Sequence, residues 1–172
     1  LALSRHILHL VCDLMDVYRI NEAKDIRNSV PFHLSGLLGR IAEGYRQKAN
    51  GNGLLFEDRH EHADITVKGD ADKIEQILGN LLTNAIKFTR FGKICFLSEY
   101  SAGKLSVKVI DTGIGMDEET LSRIFRPFER AAQEVSSEGF GLGLYITNGL
   151  VNALEGHILS LIHISEPTRL GM

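Results

Sequence analysis

The stretch from Asp70 to Phe88 constrains this chain most. Ile74, Ile77, Leu78, Leu81, Leu82 and Ala85 recur at the spacing of one helical face, in a pattern that Asp70 opens. A helix with so broad an apolar face is stable only against another layer, so the chain must supply one. Asn80, Asn84 and Lys87 fall in one narrow stripe at about 100° per residue, beside the apolar face rather than opposite it. Two amides and an ammonium at that rim can hold a metal and its anionic ligand, since amide oxygens are hard donors suited to Mg²⁺. A solvated polar stripe accounts for these three residues equally well.

The rest of the chain provides the covering layer. Leu54 to Asp58 and Ile65 to Lys68 read as strands, and Val30 to Leu34 as a short one. Lys93 to Tyr100 and Lys104 to Ile110 read as a hairpin around Ser101-Ala102-Gly103. A second helix, capped by Ser35, carries Leu37, Leu38, Ile41, Ala42 and Tyr45 and ends at the Asn50-Gly51-Asn52-Gly53 turn. Glu118 to Arg123 and Gly141 to Leu154 read as helices, and His157 to Ser160 as a strand. Strands and helices mix without regular βαβ alternation. The expected fold is α+β: a two-layer sandwich with a mixed sheet covered on one face by helices.

Residues 1–20 are different. Leu3, Ile7, Leu10, Leu14 and Val17 form a heptad seam that Leu8, Val11 and Met15 widen, as in a bundle helix. Such a face calls for a partner helix, most simply from a second chain, or for folding back onto its own domain. Cys12 and Cys95 are too far apart for a metal motif or a disulfide framework; apolar neighbours place both in the core, and reducing cytoplasm fits this usage. A net charge of −3 gives no reason to expect a nucleic-acid surface. No apolar run reaches the roughly 20 residues that span a bilayer, so no direct membrane contact is expected of this segment. A membrane-anchored parent stays open.

Three further blocks carry chemistry. Asp111-Thr112-Gly113-Ile114-Gly115-Met116 follows a strand directly. A strand-end carboxylate accepts hydrogen bonds from exocyclic amines such as that of adenine, and glycines let backbone approach a flat ligand. A tight turn explains the same residues equally well. Phe125-Arg126-Pro127-Phe128-Glu129-Arg130 precedes a polar stretch, Ala132 to Glu138. It reads as a hydrophobic anchor that is also the hinge of a lid, from which Arg130 reaches developing negative charge. Gly139-Phe140-Gly141-Leu142-Gly143-Leu144 feeds a helix whose first N–H groups suit phosphate. No Gly-Lys-Ser/Thr follows, so it is not a Walker A loop.

The four blocks, in this order and spacing, resemble the N, G1, F and G2 boxes of the histidine-kinase catalytic domain, within the wider ATPase superfamily of gyrase, Hsp90 and MutL. The resemblance covers about residues 1–160. It implies that residues 1–22 are the C-terminal part of the second helix of a dimerisation and phosphoacceptor domain. Residues 28–160 are then the ATP-binding catalytic domain, and 161–172 an atypical tail. The implied ligands are ATP and Mg²⁺. Asn84 is implied to ligate the metal with Asn80 assisting, Lys87 to contact phosphate, and Phe88 to lie near the ribose or adenine. Asp111 is implied to accept from adenine N6, while Gly113, Ile114 and Gly115 line the base. Arg130 approaches the γ-phosphate; Gly139, Gly141 and Gly143 let the lid close over the triphosphate; Leu144 packs near the adenine. The catalytic set so implied is Asn80, Lys87 and Arg130.

In hydrolytic relatives the position of Asn80 is a Glu that activates water. An amide cannot serve as a general base at neutral pH, so Asn80 argues for holding ATP until a histidine imidazole arrives. That histidine is expected on the first dimerisation helix, followed by an acidic residue. Neither His6 nor His9 has that setting, and His33, His60, His62, His157 and His163 lack it too. The chain is therefore expected to bind ATP without phosphorylating itself. Expected partners are the dimerisation domain of the same or a partner chain and, indirectly, a response-regulator receiver domain; the parent is expected to be a homodimer. From Leu161 to Met172 no match to the family's final Gly-Thr motif and strand is found. The alternative functions are a degenerate nucleotide-binding interaction module and a hydrolytic ATPase of the same superfamily.

Overall fold

The computed structural model describes residues 2–21, 28–128 and 141–158. They fall into two compact units, one spanning 28–114 and the other uniting 2–21 with the described part of 115–158.

In the first unit, β1 (Val30–His33) pairs antiparallel with β3 (Thr66–Gly69) as a two-stranded ribbon. A separate sheet has the order β2–β4–β5, built from β2 (Leu55–Glu61), β4 (Lys93–Ser101) and β5 (Lys104–Asp111). β2 runs parallel to β4, and β4 antiparallel to β5, so the sheet is mixed as expected. Two helices, α2 (Leu34–Gly51) and α3 (Ala71–Phe88), pack with it. Their Leu34, Leu37, Leu38, Ile41, Leu78 and Leu82 meet Ile94 and Phe96 of β4 in one core. Along β5, Leu105, Val107 and Val109 join that core while the residues between them are exposed, the period-two signature of a sheet covered on one face.

Where the helices begin shows which signals are local. Asp70, where the helical pattern opens, proves to be the cap of α3: Oδ1 accepts the Lys73 N–H at 3.2 Å. Oδ2 accepts the Asn28 N–H at 2.9 Å and the Lys73 ammonium at 3.0 Å. Burial alone would raise this carboxyl, but those hydrogen bonds outweigh it and hold the group below its usual range. Asp70→Ala should cost about 1–2 kcal/mol at neutral pH, read from the urea midpoint. Because the folded-state pKa is depressed, the ionic part of this stabilisation is complete above the unfolded carboxyl's pKa of about 3.9 and fades as pH falls through the folded one. Wild-type and variant stabilities should converge in acid; a gap constant with pH would refute the ionic part.

Ser35, by contrast, is not the cap of α2. The helix starts one residue earlier, after an extended His33 that offers no side-chain cap. The Leu34 N–H is already taken by the Ile65 carbonyl at 3.0 Å, so a pairing with distant chain does the work expected of the serine. The hairpin is as expected, with Ser101 opposite Lys104 and both Ala102 (φ 51°) and Gly103 (φ 78°) left-handed. Two left-handed residues are what a type I′ turn demands.

Neither cysteine lies in the core. Cys95 alternates with the buried Ile94 and Phe96 and so points to the opposite sheet face, where its thiol reaches Glu57 Oε2 at 3.6 Å. Partial burial pushes that thiol up. Cys12 is exposed on α1 (Ala2–Asn21). The same parity turns Asp58 and His60 of β2 toward the helices. Arg46 of α2 pairs with Asp58 and lies over the Phe56 ring at 5.6 Å. His60 Nδ1 lies 2.6 Å from Ser98 Oγ and its ring meets Phe96 edge-on. Burial lowers the His60 pKa against the opposing pull of Asp58.

In the second unit α1 packs with α5 (Gly143–Ala153), Ile20 lying so close to Gly149 that a Cβ there would stand 2.7 Å from its Cδ1. Ile7, Leu8, Val11, Leu14, Met15 and Tyr18 nevertheless remain exposed. One end of the helix therefore folds onto its own chain, and most of its apolar face has no cover among the described residues. A short helix, α4 (Glu118–Arg123), is capped by Asp117, which accepts the Thr120 N–H at 2.7 Å. α5 begins two residues later than its pattern suggests, because Gly141 has φ 73°, which no right-handed helix contains. It ends in a Schellman motif: Gly156 N–H to Val151 O at 2.8 Å and Glu155 N–H to Asn152 O at 2.9 Å. Glu155 occupies the left-handed position at φ 59°, where glycine is at ease. Glu155→Gly should therefore stabilise this unit by about 1 kcal/mol in thermal melts. His157 and Ile158 belong to no strand, contrary to expectation, and residues 159–160 lie outside the described residues.

Candidate functional site

The first unit places one polar helix stripe and one strand end together. Leu78, Leu82 and Ala85 of α3 are buried, so Asn80, Asn84 and Lys87 sit half-buried at the border of that face. The Lys87 ammonium lies 5.1 Å from the centre of the Phe88 ring. β5, which packs with α3, ends at the exposed Asp111. Its Oδ1 accepts the Gly113 N–H at 2.9 Å, fixing the carboxylate against the turn that follows. The Ile114 N–H then donates to the Phe88 carbonyl at 3.3 Å, tying this turn to the last residue of α3.

Gly113 is there for steric reasons. A Cβ at this position would run into the Phe88 carbonyl oxygen and stand 2.8 Å from Asp111 Oδ1 and 2.9 Å from Thr89 Oγ1. Of the two readings left open for this block, a bare turn and a ligand approach, the turn is certain. Asp111 serves that turn through Oδ1, and its exposure leaves the carboxylate open to a ligand as well. Thr112 locks the other side: its hydroxyl accepts the Lys93 N–H at 3.0 Å and donates to the Phe91 carbonyl at 3.2 Å. Its N–H reaches Lys93 O at 3.2 Å. Gly92, at φ 113°, leaves room for that hydroxyl.

Asn80, Asn84, Lys87, Phe88, Asp111, Gly113 and Ile114 thus belong to one unit. Gly115, Gly141, Gly143 and Leu144 belong to the other. Gly115 is left-handed at φ 70°, Gly141 precedes α5, and Gly143 and Leu144 open that helix without a side-chain cap. Arg130 and Gly139 lie outside the described residues. Sequence reasoning missed Thr89 and Thr112, since a single threonine after a helix or in a turn carries no signal of its own. Among the described residues no group of three His, Cys, Asp or Glu could hold a metal. No helix of the described residues is long and apolar enough to cross a membrane.

The histidine kinase-, DNA gyrase B- and HSP90-like ATPase family matches residues 69–169, more than half of the chain. The autoinducer 2 sensor kinase/phosphatase LuxQ of Vibrio cholerae serotype O1 is 36% identical over 175 residues, covering 98% of this chain and 20% of LuxQ. Full-length ShkA in complex with AMPPNP superposes with a TM-score of 0.75 at 30% identity, covering 90% of this chain and 34% of that one. ThkA in complex with the response regulator protein TrrA gives a TM-score of 0.64 at 27% identity, covering 87% of this chain and 43% of that one. The chain therefore belongs to this ATPase family; of these relatives, LuxQ is a sensor kinase/phosphatase and ThkA a histidine kinase. It spans about a fifth of the length of the curated relative LuxQ.

Proposed function

We propose that this chain is the Mg-ATP-binding catalytic part of a longer sensor histidine kinase, and that it presents the γ-phosphoryl group to a histidine of a dimerisation domain. The observation that carries this reading is the strand-end carboxylate of Asp111, held by Gly113 beside the end of the α3 stripe. Asp111 accepts the adenine amine, and Gly113, Ile114 and Gly115 line the base. Phe88 flanks the nucleoside, and Lys87 faces the phosphates. Asn84 and Asn80, both half-buried at the rim of α3, fit magnesium because amide oxygens are hard neutral donors. When bound, magnesium neutralises charge on the triphosphate. For Gly139, Gly141, Gly143 and Leu144 the resemblance implies a role in the lid over the triphosphate, and for Arg130 a role toward the γ-phosphate.

Asn80 cannot take a proton from water, which suits a site that waits for an imidazole. The exposed apolar face of α1 suits a helical partner from a second copy, hence a homodimeric parent. A receiver domain as downstream partner rests on likeness to ThkA, which was solved with its response regulator. A cytoplasmic site of action follows from the use of ATP. Calorimetric titration of the folded chain with ATP should give saturable one-to-one binding that weakens when magnesium is chelated. γ-Labelled ATP should leave no acid-labile label on the chain: of its histidines only His60 is followed by an acidic residue, Glu61, and that pair lies in a strand, β2, rather than on a helix. Absence of any uptake of Mg-ATP by folded material would sink the assignment.

A further inference from the structure

Thr89, the first residue after α3, is 4% exposed, yet its Oγ1 has no hydrogen-bond partner among the described residues. Buried hydroxyls are nearly always paired, because burial strips them of water without compensation. Its surroundings say what it is for. Thr89 Oγ1 and Asp111 Oδ1 lie 2.9 and 2.8 Å from one point, the place where Gly113 has no side chain. Two of the oxygens around that point are already engaged: Phe88 O accepts from Ile114, and Asp111 Oδ1 accepts from Gly113. Only the Thr89 hydroxyl brings a proton to the niche, and it brings two lone pairs as well.

We propose that Thr89 is a further nucleotide-contacting residue: its hydroxyl is satisfied when the polar edge of a purine, or a water carried with that edge, settles beside Asp111. The inference rests on the nucleotide reading given above and deepens it. A carboxylate can only accept, so Asp111 alone meets the amine of a 6-aminopurine and leaves the adjoining ring acceptor without a donor. Thr89 supplies that donor. Without nucleotide the hydroxyl has no partner among the described residues, at a cost in stability, and the bound chain recovers it.

Thr89→Val keeps the shape and removes the hydroxyl; Thr89→Ser keeps the hydroxyl. Melting temperature without nucleotide, and calorimetric affinity for Mg-ATP and Mg-ITP, are measured for both variants and wild type. Thr89→Val should melt no lower than wild type and bind ATP about 5- to 10-fold more weakly. Its preference for ATP over ITP should shrink, and Thr89→Ser should stay within about 2-fold of wild type. Unchanged ATP affinity in Thr89→Val overturns the proposal. So does a loss equal for ATP and ITP with a lowered melting temperature, which marks a packing residue. Wild-type chain that binds neither nucleotide removes the underlying nucleotide reading and this inference with it. Wild-type binding with an indifferent Thr89→Val removes this inference alone.

Discussion

Gly113→Ala should leave a folded chain that no longer takes up ATP at concentrations saturating the wild type. The added methyl meets the Phe88 carbonyl oxygen, Asp111 Oδ1 and Thr89 Oγ1 together. None of the three can retreat cheaply. Phe88 O belongs to the helix backbone and holds Ile114, and Asp111 Oδ1 holds the Gly113 N–H. The turn must open, and the carboxylate moves with it. Overpacking of this kind costs about 1–3 kcal/mol of stability. Losing the Asp111 and Ile114 hydrogen bonds that shape the site should weaken binding by roughly 100-fold or more. Titration calorimetry beside circular dichroism checks both parts. A variant that is folded and within a few-fold of wild-type affinity would contradict the placement of the base at this turn.

Asp111→Asn probes the same turn without moving it. The amide oxygen can still accept the Gly113 N–H, so the fold and melting temperature should hold. What is lost is a charged acceptor for an incoming amine, and the new NH₂ can face that amine with a donor of its own. Hydrogen bonds to charged groups contribute about 1.5–3 kcal/mol, which predicts a 10- to 100-fold weaker affinity for ATP. Nucleotides lacking the 6-amino group should show little change. If ATP and such an analogue lost affinity in parallel, Asp111 would not be reading the amine.

What the sequence revealed, and what it hid, divides along a physical line. α3 and the hairpin are governed by residues within a few positions of one another, and pattern reading located them. Gly113 was legible as a position needing a bare backbone, although its reason, the Phe88 carbonyl, comes from another element. The start of α2 was not legible, because the partner of the Leu34 N–H is Ile65 on the far side of two elements. Cys95 was misplaced because a run of apolar residues hides the alternation of a strand covered on one face only. Asp58 and His60 show the converse, polar side chains turned inward because Arg46 and Ser98 receive them. Thr89 left no trace in the sequence, since an unpaired hydroxyl is a property of its surroundings.

The two units also differ in when they can be made. Residues 28–114 form one unbroken stretch of chain, so everything that unit needs has left the ribosome once its last strand is out. The other unit must wait. Ile20 and Gly149, which meet in it, are roughly 130 residues apart, a delay on the order of 10 s at ordinary synthesis rates. For that interval α1 is a helix without its companion, with an oily side open to whatever passes. Slow synthesis or truncation before α5 should therefore favour misassembly through α1, while the turn over 111–114, which lies wholly in the earlier unit, is already in place.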